Sequence, residues 1–271
     1  MNCPTRSYKL GMEALYSSFI YIISFLVGLI VGSFLNVCIW RLPRGESIIY
    51  PGSHCPLCSA PISWYDNIPL FSFLLLGGRC RNCGGRISLH YPLVELLTGL
   101  LFIAIYGSFG LSSQTLIYIL LASSLITVGF IDLEKKIIPN FITLPGVALG
   151  LLFSLFSAYL SPKDSLLGVI LGGGILLLVG VFGKALFRKP AMGGGDVKLA
   201  AMIGAFLGWR QILLVLFLSF LLGAVIGTAV ELIKGTLSKG RQIPFGPYIA
   251  LSGLVAIFFS KDLINLYLGL F

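Results

Sequence analysis

Residues 18–40 read SFIYIISFLVGLIVGSFLNVCIW, a run of 23 residues without a charged side chain. A helix needs about 20 apolar residues to cross the ~30 Å hydrocarbon core of a bilayer, so this stretch predicts a membrane-spanning helix. Seven further apolar windows follow at 92–106, 114–131, 141–160, 166–187, 197–209, 211–233 and 248–268. The sequence therefore predicts an all-α polytopic membrane protein with about eight transmembrane helices, of which 197–209 is too short for a comfortable span.

The overall composition supports this fold class. Hydrophobic residues make up 57% of the chain and charged residues 11%, and the mean hydropathy is +0.98. A soluble domain carries roughly 25% charged residues, so this chain has too few for a solvated surface. The net charge of +9 does not indicate nucleic acid binding, because the basic residues cluster at the ends of the predicted spans. The expected surroundings are a lipid bilayer.

The basic residues also predict the orientation. The segments 40–90, 132–140, 184–198 and 234–246 hold 14 of the 19 Lys and Arg residues. Loops rich in Lys and Arg face the cytoplasm, so these segments are expected on that side and both termini on the other. Residues 1–17 are expected to form an unstructured periplasmic segment. The run at 18–40 is too long for a signal-peptide core and is interpreted as a retained first span.

The polar stretch 41–90, between the first two predicted spans, contains four of the six cysteines. Cys55, Cys58, Cys80 and Cys83 form two Cys-x2-Cys pairs, a spacing typical of a tetrahedral zinc site. Disulfides are the alternative, although they are rare in the cytoplasm. Four sulfur ligands leave no open coordination position, so the zinc is expected to be structural. We find no internal sequence repeat, and the apolar run 68–76 is either the core of this module or an interfacial segment.

Two isolated acids mark the ends of predicted spans. Asp132 closes the window 114–131, Asp196 precedes the window 197–209, and two whole spans lie between them. An even number of crossings returns the chain to the same face, so both acids are expected at the cytoplasmic end. Because 197–209 is short, the glycines at 193–195 are expected to be non-helical and to dip below the membrane surface.

Two carboxyl groups that share a site titrate as a coupled pair. The state with one proton contains a base that activates water and an acid that protonates the leaving group, which is the chemistry of aspartyl proteolysis. The alternative is that Asp132 and Asp196 are ordinary helix-end charges, with Asp196 as an N-cap.

Several motifs, taken together and in order, resemble the bacterial type IV prepilin peptidases, which are bifunctional leader peptidases and N-methyltransferases. The matching stretches are Gly32-Ser-Phe-Leu-Asn36-Val37, Arg41-Leu-Pro43, Ser53-His-Cys55-Pro-x-Cys58, Asp66-Asn-Ile-Pro69, Gly78-Arg-Cys80-Arg-x-Cys83, Tyr91-Pro92-x-Val-Glu95, Gly-x-Gly-Asp196 and Ile243-Pro-Phe-Gly-Pro247, together with Asp132. Gly-x-Gly-Asp alone would also fit presenilin-like and preflagellin peptidases, but those lack the cysteine module.

The resemblance implies a function for the matching residues. Asp132 and Asp196 would be the catalytic dyad of a peptidase domain at 91–271, and the four cysteines would bind zinc. The substrates would be prepilins or pseudopilins in the bacterial inner membrane, cleaved after a glycine on the cytoplasmic side. The new N-terminal residue, usually phenylalanine, would then be methylated with S-adenosylmethionine. Asn140 is a departure, because the family often has a second acid there.

The methylation site is less defined than the peptidase site. No glycine-rich nucleotide-binding loop is visible, and the candidates are polar or glycine positions near the module, namely Glu46, Gly78 and Glu95. Two alternative functions are a membrane aspartyl peptidase without methyltransferase activity and an ion-coupled transporter. Transporters often contain inverted repeats. Because we find no internal sequence repeat in this chain, the enzyme is favoured over the transporter.

Overall fold

The computed structural model describes residues 5–188, 192–233 and 244–268. These residues are mainly α-helical, and their only β pairing consists of two isolated bridges, which confirms the predicted all-α class. The helices are α1 (Thr5–Arg41), α2 (Phe71–Leu75), α3 (His90–Phe109), α4 (Ser113–Lys135), α5 (Asn140–Phe156), α6 (Pro162–Phe187), α7 (Gly194–Leu207), α8 (Trp209–Ile233) and α9 (Gly246–Leu268).

Each predicted span overlaps one of the helices α1 and α3–α9, but the count of eight spans is not confirmed. Within the described residues, five helices are long and apolar enough to cross a membrane. They cover Ser17–Arg44, His90–Phe109, Ser113–Lys135, Pro162–Leu186 and Trp209–Ala229. The apolar helices Asn140–Phe156 and Gly246–Ser260 are shorter. Helix α7 has 14 residues, or about 21 Å at 1.5 Å per residue, against a hydrocarbon core of ~30 Å.

The N-terminal part of α1 differs from the prediction. The helix begins at Thr5, so most of the segment 1–17 is helical rather than unstructured. The sequence explains this difference, because residues 5–17 contain no proline and a single glycine, and nothing in them ends a helix. Residues 1–4 lie outside the described part of the chain, as do Lys189, Lys234, Lys239 and Arg241 of the basic segments.

The chain forms two compact units, which are described separately. The first contains Met1–Cys38 and Ser47–Thr115, and the second contains Ile39–Glu46 and Leu116–Phe271. In the first unit, α1 packs closely against α3 through glycines. A Cβ atom placed on Gly28 would lie 2.7 Å from the Cα of Gly99. Glycines at such contacts let two helix backbones approach each other.

In the second unit, α7 is enclosed by its neighbours. A Cβ atom on Gly168 of α6 would lie 2.2 Å from the carbonyl oxygen of Gly204 in α7, and one on Gly150 of α5 would lie 2.7 Å from the Cβ of Ala205. The Ser165 hydroxyl donates to the Ala205 carbonyl oxygen at 2.6 Å. Nine of the 14 residues of α7 are buried. A helix that is apolar on all sides and covered by protein belongs to the core, so α7 is the central helix of this unit.

The apolar run 68–76 of the cysteine module does not form a core. It contains α2, in which Phe71 is 62% exposed and Leu75 is 83% exposed. This exposure favours the interfacial alternative. The module is instead held together by polar contacts. The guanidinium of Arg81 donates to both carboxylate oxygens of Asp66, at 2.8 and 2.6 Å, and this pairing holds the pKa of Asp66 below its usual value.

The contact between α6 and α7 leads to a prediction about two glycines of α6. Gly168→Ala would place a methyl group against the backbone of Gly204, and overpacking of this kind costs about 1–3 kcal/mol. Gly174→Ala is the matched control, because a Cβ atom there would meet nothing within 4 Å. Thermal unfolding in detergent should show a clearly lower Tm for Gly168→Ala and an unchanged or higher Tm for Gly174→Ala. Equal Tm values for the two variants would contradict the packing described here.

Candidate active site and metal centre

The four predicted cysteine ligands come together in the first unit. Their Sγ atoms all lie within 4.8 Å of one another, and the sulfurs of Cys55 and Cys83 are 3.9 Å apart. A tetrahedral ion with metal–sulfur bonds of about 2.3 Å separates its sulfurs by roughly 3.8 Å. A disulfide would need about 2.05 Å, and all four cysteines are free thiols. The cluster therefore fits a single metal ion. His54 is exposed and pairs with the Gly52 carbonyl oxygen, outside the cluster.

The two cysteine pairs are built in the same way, with an offset of 25 residues from Cys55 to Cys80. The N–H of Cys55 donates to the Ala60 carbonyl oxygen at 2.9 Å, and that of Cys80 donates to the Gly85 carbonyl oxygen at 2.8 Å. An isolated antiparallel bridge flanks each pair, at His54–Pro61 and at Arg79–Arg86. The module therefore contains a structural repeat. The sequence did not reveal it, because backbone geometry and the cysteines are nearly all that the two halves share.

Backbone N–H groups in these turns point at the sulfurs. Those of Cys83 and Asn82 hydrogen-bond to the sulfur of Cys80 and lower the pKa of that thiol to about 7. The thiolate is the form that binds metals. The turn therefore favours the thiolate at Cys80. At Cys83 the N–H of Gly85 acts in the same direction, but hydrogen bonds with the other thiols and burial raise the pKa of that thiol to about 11.

The two predicted catalytic acids lie together in the second unit. Asp132 is in the last turn of α4 and is 5% exposed, and Asp196 is in the first turn of α7 and is 9% exposed. The two carboxyls are near enough for their negative charges to repel each other. Asp196 is not the N-cap, which is Gly193, but the third helical residue. The reading of Asp196 as an N-cap is therefore wrong.

Each carboxyl is held by the backbone N–H of a glycine. Gly246 donates to Oδ2 of Asp132 at 3.0 Å, and Gly193 donates to Oδ2 of Asp196 at 3.2 Å. Gly246 begins α9 and Gly193 precedes α7, so each acid lies at the N-terminal end of a helix. The positive end of the helix dipole favours a negative charge there. These contacts offset part of the cost of burying the two acids.

The glycines at 193–195 differ from the prediction. Gly193 is extended, but Gly194 and Gly195 are the first residues of α7, so most of the stretch is helical. A carboxylate at the third helical position stabilises the start of a helix by accepting from the N-cap N–H group. Asp196 makes this contact, which explains why two glycines can begin the helix.

The loop between α4 and α5 packs on the start of α7. A Cβ atom on Gly195 would lie 2.8 Å from the Cβ of Ile138, and one on Gly246 would lie 3.1 Å from the Cδ1 of Ile138 and 2.6 Å from Oδ2 of Asp132. The ammonium of Lys198 donates to Oδ1 of Asn140 at 2.8 Å. The resemblance described above led us to expect an acid at position 140. The amide oxygen of Asn140 still accepts a hydrogen bond there.

Sequence reasoning assigned no role to Gly246 or Ile138. The motif 243–247 was quoted only as part of the resemblance, and Ile243 lies outside the described residues. A glycine inside a motif otherwise rich in proline was the only available signal. Its role depends on a contact with Asp132, which is 114 positions away in the chain.

The three candidates for methylation lie in different settings. Glu46 is exposed in a turn of the second unit. Gly78 belongs to the first unit and has φ +68°, and its N–H donates to the Phe73 carbonyl oxygen at 2.8 Å. Glu95 belongs to the same unit, is 8% exposed, and accepts from the N–H of Leu70 at 2.9 Å. Of the three candidates, Glu95 is the buried acid.

Comparisons with known families agree with the two sites. Residues 26–109 match the model of the bacterial peptidase A24 N-terminal domain, and residues 119–228 match that of the type IV leader peptidase family. The first range contains all four cysteines, and the second contains Asp132 and Asp196. A protein of Aeromonas hydrophila is 38% identical over 95% of this chain and 96% of its own length. The chain belongs to the type IV leader peptidase family.

Other members of the type IV leader peptidase family are similarly related. A protein of Pseudomonas aeruginosa is 36% identical over 90% of this chain and 91% of its own length. One of Myxococcus xanthus is 44% identical over 78% of this chain and 63% of its own length. These proteins and the Aeromonas relative are all named prepilin leader peptidase/N-methyltransferase. No solved structure matches this chain.

The repeated turns of the cysteine module lead to a prediction about metal retention. The residue after each second cysteine has a left-handed backbone, Ser59 with φ +56° and Gly84 with φ +67°. This conformation costs a non-glycine residue about 1 kcal/mol. A Cβ atom on Gly84 would meet nothing within 4 Å, so Gly84→Ser changes only the backbone preference.

Metal binding and folding of such a module are coupled. Ser59→Gly should therefore raise the chelator concentration that strips half of a metal ion bound at this cluster by about fivefold, and Gly84→Ser should lower it by a similar factor. Metal content after equilibration with a chelator series measures both variants. Shifts in the opposite directions, or none, would contradict the prediction.

Proposed function

We propose that this protein cleaves the leader peptide from type IV prepilins or pseudopilins after a glycine and then N-methylates the new N-terminal residue, usually phenylalanine. Membership in the type IV leader peptidase family and the names of its relatives support both activities. The observation that carries the proteolytic part is the pair of buried carboxyls, Asp132 and Asp196, each held by a glycine N–H group.

The chemistry assigned to the pair is aspartyl proteolysis. Repulsion between the carboxyls favours a state in which the two share one proton. The ionised carboxyl takes a proton from water as its oxygen attacks the scissile carbonyl carbon, and the protonated one donates to the carbonyl oxygen. Collapse of the tetrahedral intermediate breaks the C–N bond and transfers a proton to the leaving nitrogen. The products are a leader that ends in a carboxylate and a mature chain with a new amino group.

The proposed setting is the cytoplasmic face of the bacterial inner membrane. It rests on the excess of basic residues in the four segments that include the cysteine module and the two acids, read with the positive-inside rule. A prepilin has a basic leader followed by an apolar helix, so that helix would lie in the bilayer and present the cleavage site at the interface. No nucleic acid partner is proposed.

The proposed ion of the cysteine cluster is zinc in a structural role. Four thiolates at tetrahedral spacing are the donor set that zinc prefers, and the exposed apolar side chains of α2 leave the module little core of its own. The proposed methyl donor is S-adenosylmethionine, which supplies an activated methyl group to the amine. Of the candidates Glu46, Gly78 and Glu95, the buried Glu95 has the local chemistry best suited to a charged ligand.

The proposed dyad predicts the effect of replacing each acid by its amide. Asp132→Asn and Asp196→Asn should each reduce prepilin cleavage by at least 1,000-fold, because an amide neither accepts nor donates the required proton. An Asn side chain can still accept from the glycine N–H groups, so the Tm should change little. Glu134→Gln is the matched control, because Glu134 is an exposed acid on the same helix, and it should cleave normally.

The same variants separate the competing functions. Given a pre-cleaved pilin and labelled S-adenosylmethionine, both dyad variants should still transfer the label. Cleavage without label transfer by the wild-type protein would favour a peptidase alone. Cleavage that survives both Asp→Asn substitutions in a folded protein would eliminate the dyad. Neither cleavage nor label transfer by the folded wild-type protein would leave the transporter alternative open.

A second prediction concerns the glycine that positions Asp132. Gly246→Ala would place a methyl group 2.6 Å from Oδ2 of Asp132 and displace the carboxyl from its N–H donor. Cleavage should fall by roughly 100-fold, the loss expected for a misplaced catalytic group, while methylation of a pre-cleaved substrate is retained. Gly174→Ala, which meets no neighbour, is the control. Unchanged cleavage by Gly246→Ala would show that this contact does not position the acid.

A further inference from the structure

Helices α1 and α3 bring a group of polar side chains together inside the first unit. The helices run antiparallel and in register, with Gly32 opposite Glu95 and Asn36 opposite Tyr91. A Cβ atom on Gly32 would lie 2.7 Å from the Cα of Glu95, and the amide of Asn36 donates to the Tyr91 carbonyl oxygen at 3.0 Å. The hydroxyl of Ser33 lies within hydrogen-bonding reach of the Glu95 carboxyl. Glu95 and Asn36 therefore lie about one helical turn apart on the same interface.

This group has more hydrogen-bond acceptors than donors. The Glu95 carboxylate has about four acceptor positions, and the described donors to it are the Leu70 N–H and the Ser33 hydroxyl. Asn36 is 5% exposed, and its Oδ1 accepts no hydrogen bond from any described residue. The contact of its amide with the Tyr91 carbonyl oxygen identifies Oδ1 as the remaining acceptor.

The charge of Glu95 also lacks a described partner. The ion pair found among the described residues joins Arg81 to Asp66, not to Glu95. A buried carboxylate is costly unless a cation or several donors compensate it. Water could satisfy the amide oxygen of Asn36 but would not neutralise the carboxylate. A hard metal ion is a poor fit, because calcium and magnesium require six or more oxygen ligands and this group offers three side chains.

We propose that Glu95 and Asn36 form a binding site for a primary ammonium group, with Ser33 at its edge. An ammonium group has three N–H donors, no acceptor and one positive charge, which complements a carboxylate and an unpaired amide oxygen that lie about one helical turn apart on the same interface. Leu70, whose N–H is bound by Glu95, has φ +62°. A non-glycine residue in this conformation is strained, and such strain is concentrated at ligand sites.

The inference rests on the proposed methyltransferase function, which involves two primary ammonium groups. One is the new N-terminus of the cleaved pilin, and the other is the amino group of the methionyl part of S-adenosylmethionine. Both present the same chemistry to Glu95 and Asn36. Binding measurements distinguish them, because each ammonium group can be removed or blocked separately.

The test uses the purified full-length, zinc-loaded protein in detergent and isothermal titration calorimetry. The first pair of probes is S-adenosylhomocysteine and its analogue without the amino group. The second is a synthetic peptide that begins with phenylalanine and matches a mature pilin N-terminus, with a free or an acetylated amino group. We expect the wild-type protein to prefer the ammonium-bearing probe in one of the two pairs by about 10- to 100-fold, as for a charge-assisted hydrogen bond.

Two variants assign that preference to residues. Glu95→Gln keeps an acceptor for the Leu70 N–H but removes the charge, and it should abolish the preference while leaving the blocked probe bound as before. Asn36→Leu should reduce the preference by about fivefold, the loss expected for one neutral hydrogen bond. Ser252→Ala is the control, because the Ser252 hydroxyl is also buried without a described partner but belongs to the other unit.

The outcomes are decisive in both directions. A preference in the S-adenosylhomocysteine pair assigns the site to the cofactor, and one in the peptide pair assigns it to the substrate. No preference in either pair, or one that survives both variants with the fold intact, overturns the inference and leaves the group as a structural contact. Ser252→Ala should leave both the probe preference and prepilin cleavage unchanged. A wild-type protein that does not cleave prepilin would instead refute the proposed function.

Discussion

The second unit depends on the contact between the backbones of α6 and α7. At Gly168 and Gly204 the helices approach so closely that neither position has room for a methyl group. Side chains cannot drive association between helices in lipid through the hydrophobic effect, so close packing and hydrogen bonds must do so. The Ser165 hydrogen bond to the Ala205 carbonyl oxygen adds to this packing. A helix too short to span a membrane is thereby kept at the centre of the unit.

The position of α7 in turn determines the environment of the acids. Its first turn carries Asp196, and the ends of α4 and α9 supply Asp132 and the Gly246 N–H. Burial of two ionised carboxyls is costly, and the helix N-termini compensate part of this cost. A glycine at 246 lets the N–H group approach the Asp132 carboxyl, because any side chain there would enter the space of that carboxyl.

The first unit differs from the second in how its cysteine module is held together. Its cysteine module exposes much of its apolar surface, and two similar turns converge on one group of four sulfurs. The convergence of the four sulfurs therefore gives the module a centre that could hold a metal ion, in place of a hydrophobic core. Within the same unit, the close approach of α1 to α3 buries Glu95 and Asn36 together. The same glycine contact that packs the helices creates the polar group between them.

Sequence by itself determined the membrane class, the four sulfur ligands and the two acids. Each of these depends on local information: the length of an apolar run, the spacing of two cysteines, or a lone acid at the end of a span. The tertiary structure decided the helical start of α7, the repeat in the cysteine module, and the contacts of Gly246 and Asn36. These features depend on which backbone atoms meet, across separations of up to 114 positions. The sequence shows a glycine or an asparagine in the same way wherever it lies. Its contacts depend on its neighbours in space, which only the tertiary structure shows.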